Sequence, residues 1–454
     1  MRNRGVLSVV VAVCVVALGA VACGDDDDGN GASDGPAPEG SLRVPQDYDT
    51  IQEAVDAAES GDLVYIDTGT YKETVTITTE NLVLRGADRN ETIIDGEFER
   101  ENCVFVVETN GVAVENLTTQ NCTKNGVFFT GVDGYRASYV SAIRNGDYGI
   151  YAFDSVNGQF DHSYGGGSPD AGFYIGQCNP CNAVITDVEA EWNGLGYSGT
   201  NSSGNLIIAN SSWHDNRSGI VPNSGTGEEL HPQRDNVIVG NTVYDNNNAD
   251  TASISIAELA IGTGILVAGG NDNVIDRNLV EDHDLAGIAV IPLPETAIDP
   301  ENPDAIDFDA RGNRVIGNVV QASDPADRNE REFAADLPQW DLVVVTGLTA
   351  ETDGGGNCFS ENDAATSGPS DLQSLLPCDG PPSTAFAAPI ADFARALLAE
   401  KPGTQDYQDV DLPERTFENM PDADSAPPVP ATQDNVPMTI DVAAITTPTS
   451  TGSE

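Results

Sequence analysis

The sequence predicts an all-β solenoid, in which short strands form coils that stack along one axis. A glycine followed by an apolar residue returns every 23 or 24 residues, and one interval of 45 fits two coils that lack the intermediate glycine. Such a period is typical of stacked repeats whose single units cannot bury their own apolar face. The glycines of this register are Gly126, Gly149, Gly172, Gly196, Gly219, Gly264 and Gly287.

A second register of polar residues follows the same coils. One polar residue stands five places before another at Asn182/Asp187, Asn205/Asn210, Asn236/Asn241, Asn273/Asn278, Asn313/Asn318 and Asn357/Asn362. The apolar runs between them are short and β-branched, which favours strands over helices. Coils stacked at about 4.8 Å would place these asparagines in ladders, where side-chain amides bond from one coil to the next.

Residues 1–22 have the pattern of an export signal. A basic start precedes an apolar stretch that ends in small residues before Cys23. Residues 18–23 resemble a bacterial lipobox, with Ala20 where leucine is usual, and this resemblance implies that Cys23 is lipidated. We therefore expect an exported protein, lipid-anchored at the outer face of the bacterial cytoplasmic membrane or cell envelope. Residues 23–42 are predicted to form a disordered acidic tether.

The composition fits an exported chain with disulfides. Six of the eight cysteines remain when Cys14 and Cys23 are set aside, and disulfides persist outside the cytosol. Closeness in sequence suggests the pairs Cys103–Cys122, Cys178–Cys181 and Cys358–Cys378, although other pairings are open. The formal net charge of −53 excludes nucleic acid as a partner. It also disfavours polyanionic glycans unless Ca²⁺ bridges them.

The folded body is predicted to span residues 43–380. Thr50 and Glu53 form a capping box for a short helix that should cover the strand edges of the first coil. Residues 381–401 contain a second helix candidate, Ala388–Glu400, with apolar residues on one face. Residues 402–454 are rich in Pro, Asp and Thr and are predicted to be a disordered tail.

Several segments resemble the pectin-lyase-like superfamily of right-handed parallel β-helices. They are Thr50–Val55, Gly69–Tyr71 with Glu73, and the later coils, so that the resemblance covers about residues 44–380. More narrowly, Gly172–Cys181 and Gly196–Asn201 resemble exported actinobacterial β-helix lipoproteins. The resemblance implies a right-handed parallel β-helix, in a superfamily of lyases, hydrolases, esterases, epimerases and non-enzymes. The Gly-His-Gly, Asp-Pro-His-Glu and Gln-Asp-Thr-Leu motifs of its well-known enzymes are absent from the sequence.

Alignment of the coils on their asparagines predicts one column of catalytic candidates, Glu191, His214, Asp245 and Asp282. The next column includes Asp215, which with Asp245 and Asp282 makes a candidate Ca²⁺ site. Carboxylates and imidazoles stacked about 5 Å apart could also act as an acid/base pair. A solvated turn that holds Asp and Asn for conformational reasons has the same pattern. The insertions 224–234 and 247–263 are expected to wall this turn into a groove.

An aromatic column is predicted on another face of the solenoid. Phe105, Phe128, Tyr151 and Tyr174 lie 23 residues apart, and strand alternation places their neighbours inside, so the aromatic rings should point outward. The coil spacing of about 5 Å is close to the length of one sugar, and sugar C–H faces stack on aromatic rings. Alternatively, the C-terminal helix covers this apolar strip.

These patterns favour a surface-anchored lipoprotein that binds extracellular polysaccharide and, if it is an enzyme, processes it as a lyase, hydrolase or epimerase-like protein. Ca²⁺ is the cofactor that such carboxylates suit. One alternative is a non-catalytic scaffold or adhesin with a protein partner. A resemblance to the β-helix subunit that assists copper loading of nitrous-oxide reductase implies copper binding, but four histidines and Met1, Met420 and Met438 offer few ligands. The membrane is expected to be contacted only through the lipid, and the oligomeric state stays open.

Overall fold

The computed structural model describes residues 37–324, 333–347 and 354–451, so that Cys23 and most of the predicted tether lie outside the described residues. Most coils contribute two strands to a long parallel sheet, sheet A, and one strand to a second parallel sheet, sheet B. Sheet A contains Leu42–Val44, Leu63–Ile66, Gly69–Tyr71, Val83–Gly86, Thr92–Asp95, Asn110–Gln120, Asp133–Ile143, Val156–Asp161, Tyr164–Gly166, Ala183–Thr186, Glu189–Glu191, Ser203–Ala209, Ser212–His214, Arg234–Val239, Thr242–Tyr244, Val274–Asp276, Leu279–Glu281, Arg314–Ile316, Val319–Gln321, Cys358–Ser360 and Asp363–Ala364. Sheet B contains Val75–Ile77, Asn102–Val107, Asn125–Thr130, Tyr148–Phe153, Ala171–Gly176, Leu195–Thr200, Ser218–Asn223, Thr263–Ala268, Ala286–Ile291, Trp340–Val344 and Ser367–Gly368.

The helices are short and lie at the ends of the solenoid or in its insertions. In the part of the chain that the structure describes, the α-helices are Ile51–Ala57, Ile256–Leu259, Glu295–Ile298, Leu372–Leu375 and Ile390–Leu398; 3₁₀ turns span Gly354–Gly356, Tyr407–Asp409 and Val442–Ala444. Leu293–Pro294 and Asp307–Phe308 form an antiparallel pair. The predicted cap helix begins as expected, because the Thr50 side chain accepts a hydrogen bond from the backbone N–H of Glu53. Within the described ranges, no helix has the length and apolarity needed to cross a membrane.

The glycine register marks the second residue of successive sheet B strands. These glycines leave room for the neighbouring backbone: a Cβ at Gly149 would lie 2.5 Å from the carbonyl oxygen of Gly172, and one at Gly219 would lie 2.5 Å from that of Gly264. The interval of 45 residues is a single coil, because Ser218–Asn223 pairs directly with Thr263–Ala268. Our interpretation of two coils is therefore wrong, and the extra length belongs to the insertions.

The interior of sheet B is one continuous apolar column. Its members are in register from coil to coil and are 0% exposed: Val104, Val127, Ile150, Phe173, Tyr197, Ile220, Ile265, Ile288 and Leu342. Burying a side chain of this size stabilises a fold by about 1.5–3 kcal/mol. Because these side chains pack on one another from coil to coil, the column fixes the position of the outer sheet face, where a site can form.

The asparagine ladders are present in the later coils but are displaced by one residue in the earlier ones. The side chains of Asn241, Asn278, Asn318 and Asn362 bond from coil to coil at 2.9–3.0 Å. Asn210, by contrast, occupies a corner with a positive φ of 50°, where Gly240 is its equivalent. Asn serves both places for different reasons, since it tolerates the left-handed region and also satisfies buried backbone groups.

The C-terminal region corrects the predicted disordered tail. Residues 402–451 lie against the solenoid as an extended segment, which we call the tail. Its backbone carbonyls accept hydrogen bonds from arginines of the solenoid, including the buried Arg85 to Ala426 at 2.7 Å and the half-buried Arg277 to Val442 at 3.0 Å. The tail has little regular secondary structure, so composition alone suggested disorder. Its order comes from polar contacts that a periodic pattern does not record.

Three disulfides join the cysteines that are close in sequence. They are Cys103–Cys122, Cys178–Cys181 and Cys358–Cys378. The first joins the sheet B strand Asn102–Val107 to the turn that follows the sheet A strand Asn110–Gln120. The last joins the final coil to the segment that follows it. Cross-links of this kind restrict the unfolded chain and so stabilise the solenoid.

Candidate functional site

The predicted catalytic column falls into two columns in the structure. Glu191 and His214 are equivalent residues of neighbouring coils, because Ala190 pairs with Trp213 directly before them. The column continues with Tyr244 and Glu281, because His214 lies opposite Tyr244 and Tyr244 lies opposite Glu281 in the strand register. The predicted alignment is wrong beyond His214, and the physical cause is the displaced asparagine ladder.

Asp245 and Asp282 lie one residue later, at a corner of the coil. They adopt positive φ values of 50° and 57°, as Asp215 does in the preceding coil with 52°. Asp is common in this conformation because its short polar side chain tolerates the left-handed region. The conformational interpretation of these aspartates therefore has direct support, whereas the proposed Ca²⁺ ligand set of Asp215, Asp245 and Asp282 stays a prediction.

His214 is surrounded by carboxylates on the outer side of sheet A. Its Nε2 lies 2.9 Å from Oε1 of Glu189, and its Nδ1 lies 2.8 Å from Oδ2 of Asp215. Arg415 of the tail donates from Nη1 to Oε1 of Glu189 at 2.7 Å and to Oε1 of Glu191 at 2.8 Å. We call these five residues the His214 cluster.

The charges of the His214 cluster compensate one another. Burial opposes protonation of His214, but hydrogen bonds to Asp215 and Glu189 outweigh it and raise the pKa of the imidazole to about 9. Burial also raises the pKa of Glu189, but hydrogen bonds from His214 and Arg415 bring that pKa below its usual value. At neutral pH the ionised Glu189 thus lies between an imidazolium and a guanidinium.

A metal at this cluster would have to displace resident cations. Among the described residues, Glu189, Glu191 and His214 are the group whose possible metal-ligating atoms all lie within 4.8 Å of one another. Arg415 contacts both glutamates, and an imidazolium has no free lone pair for a metal. The cluster lies beside a cavity of about 600 Å³ that tail residues 415–418 partly line. Through Arg415, the His214 cluster joins the tail to sheet A.

The aromatic column lies on the outer side of sheet B, as predicted, and its rings stack on one another. Ring centroids are 5.3 Å apart for Phe105 and Phe128 and 4.5 Å apart for Phe128 and Tyr151, with interplanar angles of 23° and 8°. Tyr174 stands at 85° to Tyr151 and is 1% exposed. Because the central rings use their faces on each other, sugar faces cannot stack on each ring in turn. The aromatic column is therefore a stack of rings that contact one another.

The described part of the C-terminal helix lies beside later coils than this column. Ala396, on the helix Ile390–Leu398, lines an apolar cavity with Leu266, Ala289 and Val343, which belong to later coils of the same sheet face. Tyr174 is covered instead by the insertion after Asn223, since its hydroxyl is hydrogen-bonded to Glu228. The insertion thus ends the aromatic column.

A groove of about 570 Å³ opens on sheet B beside Tyr148, which packs against Tyr151 and Tyr174. Its walls are residues 224–228, residues 255–259 and residues 293–302. The carboxylate of Glu295 accepts hydrogen bonds from the backbone N–H of Thr226, at 3.1 and 3.3 Å, which joins two of these walls. The insertions were predicted to wall the His214 turn; they wall this groove instead.

Two carboxyl groups in the groove have pKa values close to physiological pH. Burial raises the pKa of Asp170 to about 7, although the Tyr148 hydroxyl donates to it and lowers the pKa somewhat. Burial likewise raises the pKa of Glu228 to about 7, against a hydrogen bond from Tyr174 and together with the charge of Asp170. Carboxyls tuned in this way can donate or accept a proton near pH 7.

Sequence reasoning did not select Asp170 or Glu228. Asp170 directly precedes a sheet B strand, and Glu228 lies inside the insertion that lengthens one coil to 45 residues. The usable signal was that interval, because an insertion beside a sheet face is a common place for a binding site. Interpreting the interval as two coils hides the insertion.

Comparison with known proteins agrees with the fold. Residues 102–292 match the family model of the right handed beta helix region. This match and the parallel pairing of the strands confirm the predicted fold class, a right-handed parallel β-helix. No curated protein sequence matches the chain.

Solved structures with a similar course of the chain include three carbohydrate-active proteins. The mannuronan C-5 epimerase A-module of Azotobacter vinelandii is 16% identical and covers 72% of this chain and 93% of its own, with a TM-score of 0.47. The polygalacturonase of Erwinia carotovora is 11% identical, with coverages of 66% and 96% and a TM-score of 0.43. A pectate lyase is 14% identical, with coverages of 82% and 83% and a TM-score of 0.40. Likenesses this distant assign no chemistry to the groove.

Proposed function

We propose that this protein is a surface-anchored lipoprotein that binds extracellular polysaccharide on the outer face of sheet B and hydrolyses it in the groove. The observation that carries the proposal is the pair of carboxyls, Asp170 and Glu228, each with a pKa raised to about 7 by burial, in a cavity of about 570 Å³. The anchor and the location at the cell surface rest on the signal pattern before Cys23.

The groove has the lining that sugar binding needs. Ser198, Thr200 and Asn223 supply hydroxyl and amide groups from the sheet, and the ring of Tyr148 borders the same space. Sugars present hydroxyls to such groups and apolar C–H faces to aromatic rings. The stacked rings of the aromatic column extend away from the groove along the solenoid axis. The edges of these rings would contact a long polysaccharide chain.

The proposed reaction uses one carboxyl in each protonation state. The protonated carboxyl gives its proton to the glycosidic oxygen while the bond from that oxygen to the anomeric carbon breaks. The ionised carboxyl takes a proton from a water molecule whose oxygen forms the new bond to the anomeric carbon. Two carboxyls that interact and share a pKa near 7 can populate this singly protonated state at neutral pH.

Lyase and epimerase chemistry has less support in this groove. Both reactions remove the proton beside a uronate carboxylate, which needs a cation to neutralise that carboxylate. Among the described residues that line the groove there is no lysine, arginine or histidine. Hydrolysis needs only an acid and a base, which Asp170 and Glu228 provide.

The test is incubation of the purified chain with neutral, cationic and uronic polysaccharides, with and without Ca²⁺, while reducing ends, unsaturated products and retention are followed. We expect new reducing ends, which Asp170→Asn and Glu228→Gln abolish. Asp411→Asn, which removes an exposed carboxylate of the tail, is the control and should keep full activity. Retention without cleavage would reduce the proposal to a binding module. Neither retention nor cleavage would contradict it and favour the scaffold or adhesin with a protein partner.

A further inference from the structure

One corner of sheet A carries a column of residues in the left-handed conformation, which we call the corner column. Each member directly follows a residue pair of the strand register, and the members in successive coils are Tyr139, His162, Asp187, Asn210 and Gly240. Their φ values lie between 47° and 65°. Two aromatic rings are thus followed by three smaller residues, and all five line the cavity of about 600 Å³ beside the His214 cluster.

One face of the His162 ring is turned into this cavity. The rings of Tyr139 and His162 are parallel to within 10°, and their centroids are 4.6 Å apart. Because Tyr139 belongs to the preceding coil, the other face of His162 is turned toward the coil of Asp187, where the corner column has no ring. The His162 side chain is 43% exposed. A sugar can stack its apolar C–H face on a ring that is presented in this way.

The tail forms one side of the cavity. Residues 415–418 line it and are fixed to sheet A by contacts on both sides of the chain. The ring centroids of Phe417 and Tyr164 are 4.6 Å apart, and Arg89 donates a hydrogen bond to a backbone carbonyl of the same segment at 3.2 Å. The ordered tail therefore turns an open corner of the solenoid into a concave site.

The length and the polar groups of the cavity match a short saccharide. Residues 446–448 of the tail reach the cavity at Gly240, three coils beyond His162, which is about 14 Å at the spacing of stacked coils. Asp187 and Asn210 lie between these ends on neighbouring coils, and both are exposed. A carboxylate and an amide are thus available to hydroxyl groups about one sugar length apart.

The cavity is balanced in charge, unlike the groove. Its described lining includes three basic and three acidic side chains: Arg89, His162, Arg415, Asp187, Glu189 and Glu418. A ligand of either charge therefore gains no net attraction from the lining, and polyanionic glycans are repelled by the chain as a whole. Hydroxyl groups, which both donate and accept hydrogen bonds, suit such a mixture of donors and acceptors.

We propose that this cavity is a second saccharide site, separate from the groove, which holds about two sugar rings at the end of a neutral oligosaccharide chain. One sugar stacks on the free face of His162, and Asp187 and Asn210 bind the hydroxyl groups of this sugar and of the next. The site lies on sheet A, so it goes beyond the function proposed for the groove on sheet B and does not depend on turnover.

Hydrogen exchange of the purified full chain locates the site, with cellotetraose and mannotetraose as probes at millimolar concentration. We expect one of these tetrasaccharides to slow exchange of the backbone amides in residues 415–418 and 445–447. Slower exchange in residues 224–228 reports the groove instead, so the two proposals are tested separately. If neither probe protects the two tail segments, the second site is overturned, whatever happens at residues 224–228.

Matched variants test the two polar groups without altering the corner. Asp187→Gly with Asn210→Gly removes both groups, and glycine suits the conformation because Gly240 holds it in the next coil. We expect the tetrasaccharide concentration that gives half of the tail protection to rise about 10-fold or more. Asp154→Gly replaces an exposed aspartate with a φ of 49° outside the cavity and should change that concentration by less than about 2-fold. Equal concentrations for the double variant and the unmodified chain would overturn the assignment.

Discussion

The His214 cluster and the groove on sheet B use the same kind of side chain in opposite ways. In the cluster, Arg415 lies 2.7 Å from Glu189 and 2.8 Å from Glu191, His214 lies 2.9 Å from Glu189, and the His214 pKa is raised to about 9. In the groove, burial alone dominates Asp170 and Glu228 and raises the pKa of each to about 7. Compensated charges stay ionised, whereas uncompensated carboxyls become titratable near neutral pH.

This difference separates a structural site from a chemical one. A network whose members remain charged over a wide pH range fastens two segments together but has no proton to exchange. A pair of carboxyls near half-protonation has both a donor and an acceptor available, at the cost of some folding free energy. The position of a carboxylate in a column of coils does not reveal which of these states it adopts; its neighbours in other coils and in the tail do.

The largest expected effect concerns turnover. Replacing Asp170 with Asn or Glu228 with Gln removes the acid or the base, and we expect cleavage of a responsive polysaccharide to fall about 10²–10⁴-fold. His214→Gln, in the other cluster, should change the rate by less than about 3-fold, because the imidazolium is not aimed into the groove. Reducing-end assays on the three variants measure this contrast. Equal losses in all three would contradict the assignment of roles.

The next effect concerns the fastening of the tail. Arg415→Ala leaves Glu189 and Glu191 without a guanidinium, and we expect the free energy of unfolding to fall by about 1–3 kcal/mol, since the side chain is partly exposed. Hydrogen exchange should then increase around residues 412–420. Arg395→Ala, in the C-terminal helix, removes a more exposed arginine and serves as control. Unchanged stability and exchange would show that the tail is held elsewhere.

The two sites should respond to pH in different windows. The folded-state pKa of Asp170 is raised from 3.8 to about 7, so its contribution to stability is fully present below pH 4 and is lost as the pH rises through 7. For His214, raised from 6.5 to about 9, stability is present below pH 6.5 and is lost as the pH rises through 9. The corresponding losses are of the order of 1–4 kcal/mol.

Denaturant unfolding of variants between pH 4 and 10 tests these windows. Asp170→Asn with Glu228→Gln should flatten the loss of stability between pH 4 and 7, because both carboxyls have a pKa raised to about 7, and should leave the alkaline loss in place. His214→Gln should flatten the loss between pH 6.5 and 9 and leave the acidic window unchanged. If either variant flattened both windows, the two clusters would be coupled, contrary to their separate positions on sheets A and B.

The sequence was sufficient for the architecture because the architecture is periodic. A glycine that leaves no room for a Cβ, such as Gly149, must recur once in each coil, and the apolar column beside it must recur with it. Thr50 and Glu53 predicted the cap helix because capping is local. Register was harder, since Asn210 and Asn241 are both asparagines for different reasons and differ by one place in the coil.

The chemical site could not be predicted because it depends on insertions and long-range burial. Glu228 belongs to an insertion that most other coils lack, and burial within that insertion raises its pKa. Arg415 reaches Glu191 across 224 residues of sequence, so no local pattern connects them. The aromatic column was visible from its spacing, but the stacking of Phe128 on Tyr151 decides whether ring faces are free.

The smallest expected effect distinguishes the aromatic column from the groove as the place where glycan binds. Tyr174→Phe removes the hydroxyl that is bonded to Glu228 while keeping the ring, and we expect a loss of glycan affinity of about 3–10-fold because that carboxyl loses its anchor. Phe105→Leu, at the far end of the aromatic column, should change the affinity by less than about 2-fold, since this ring only borders the path of the chain. Equilibrium binding of an oligosaccharide to both variants measures the ratio. A larger loss at Phe105 would show that the column, rather than the groove, supplies most of the binding free energy.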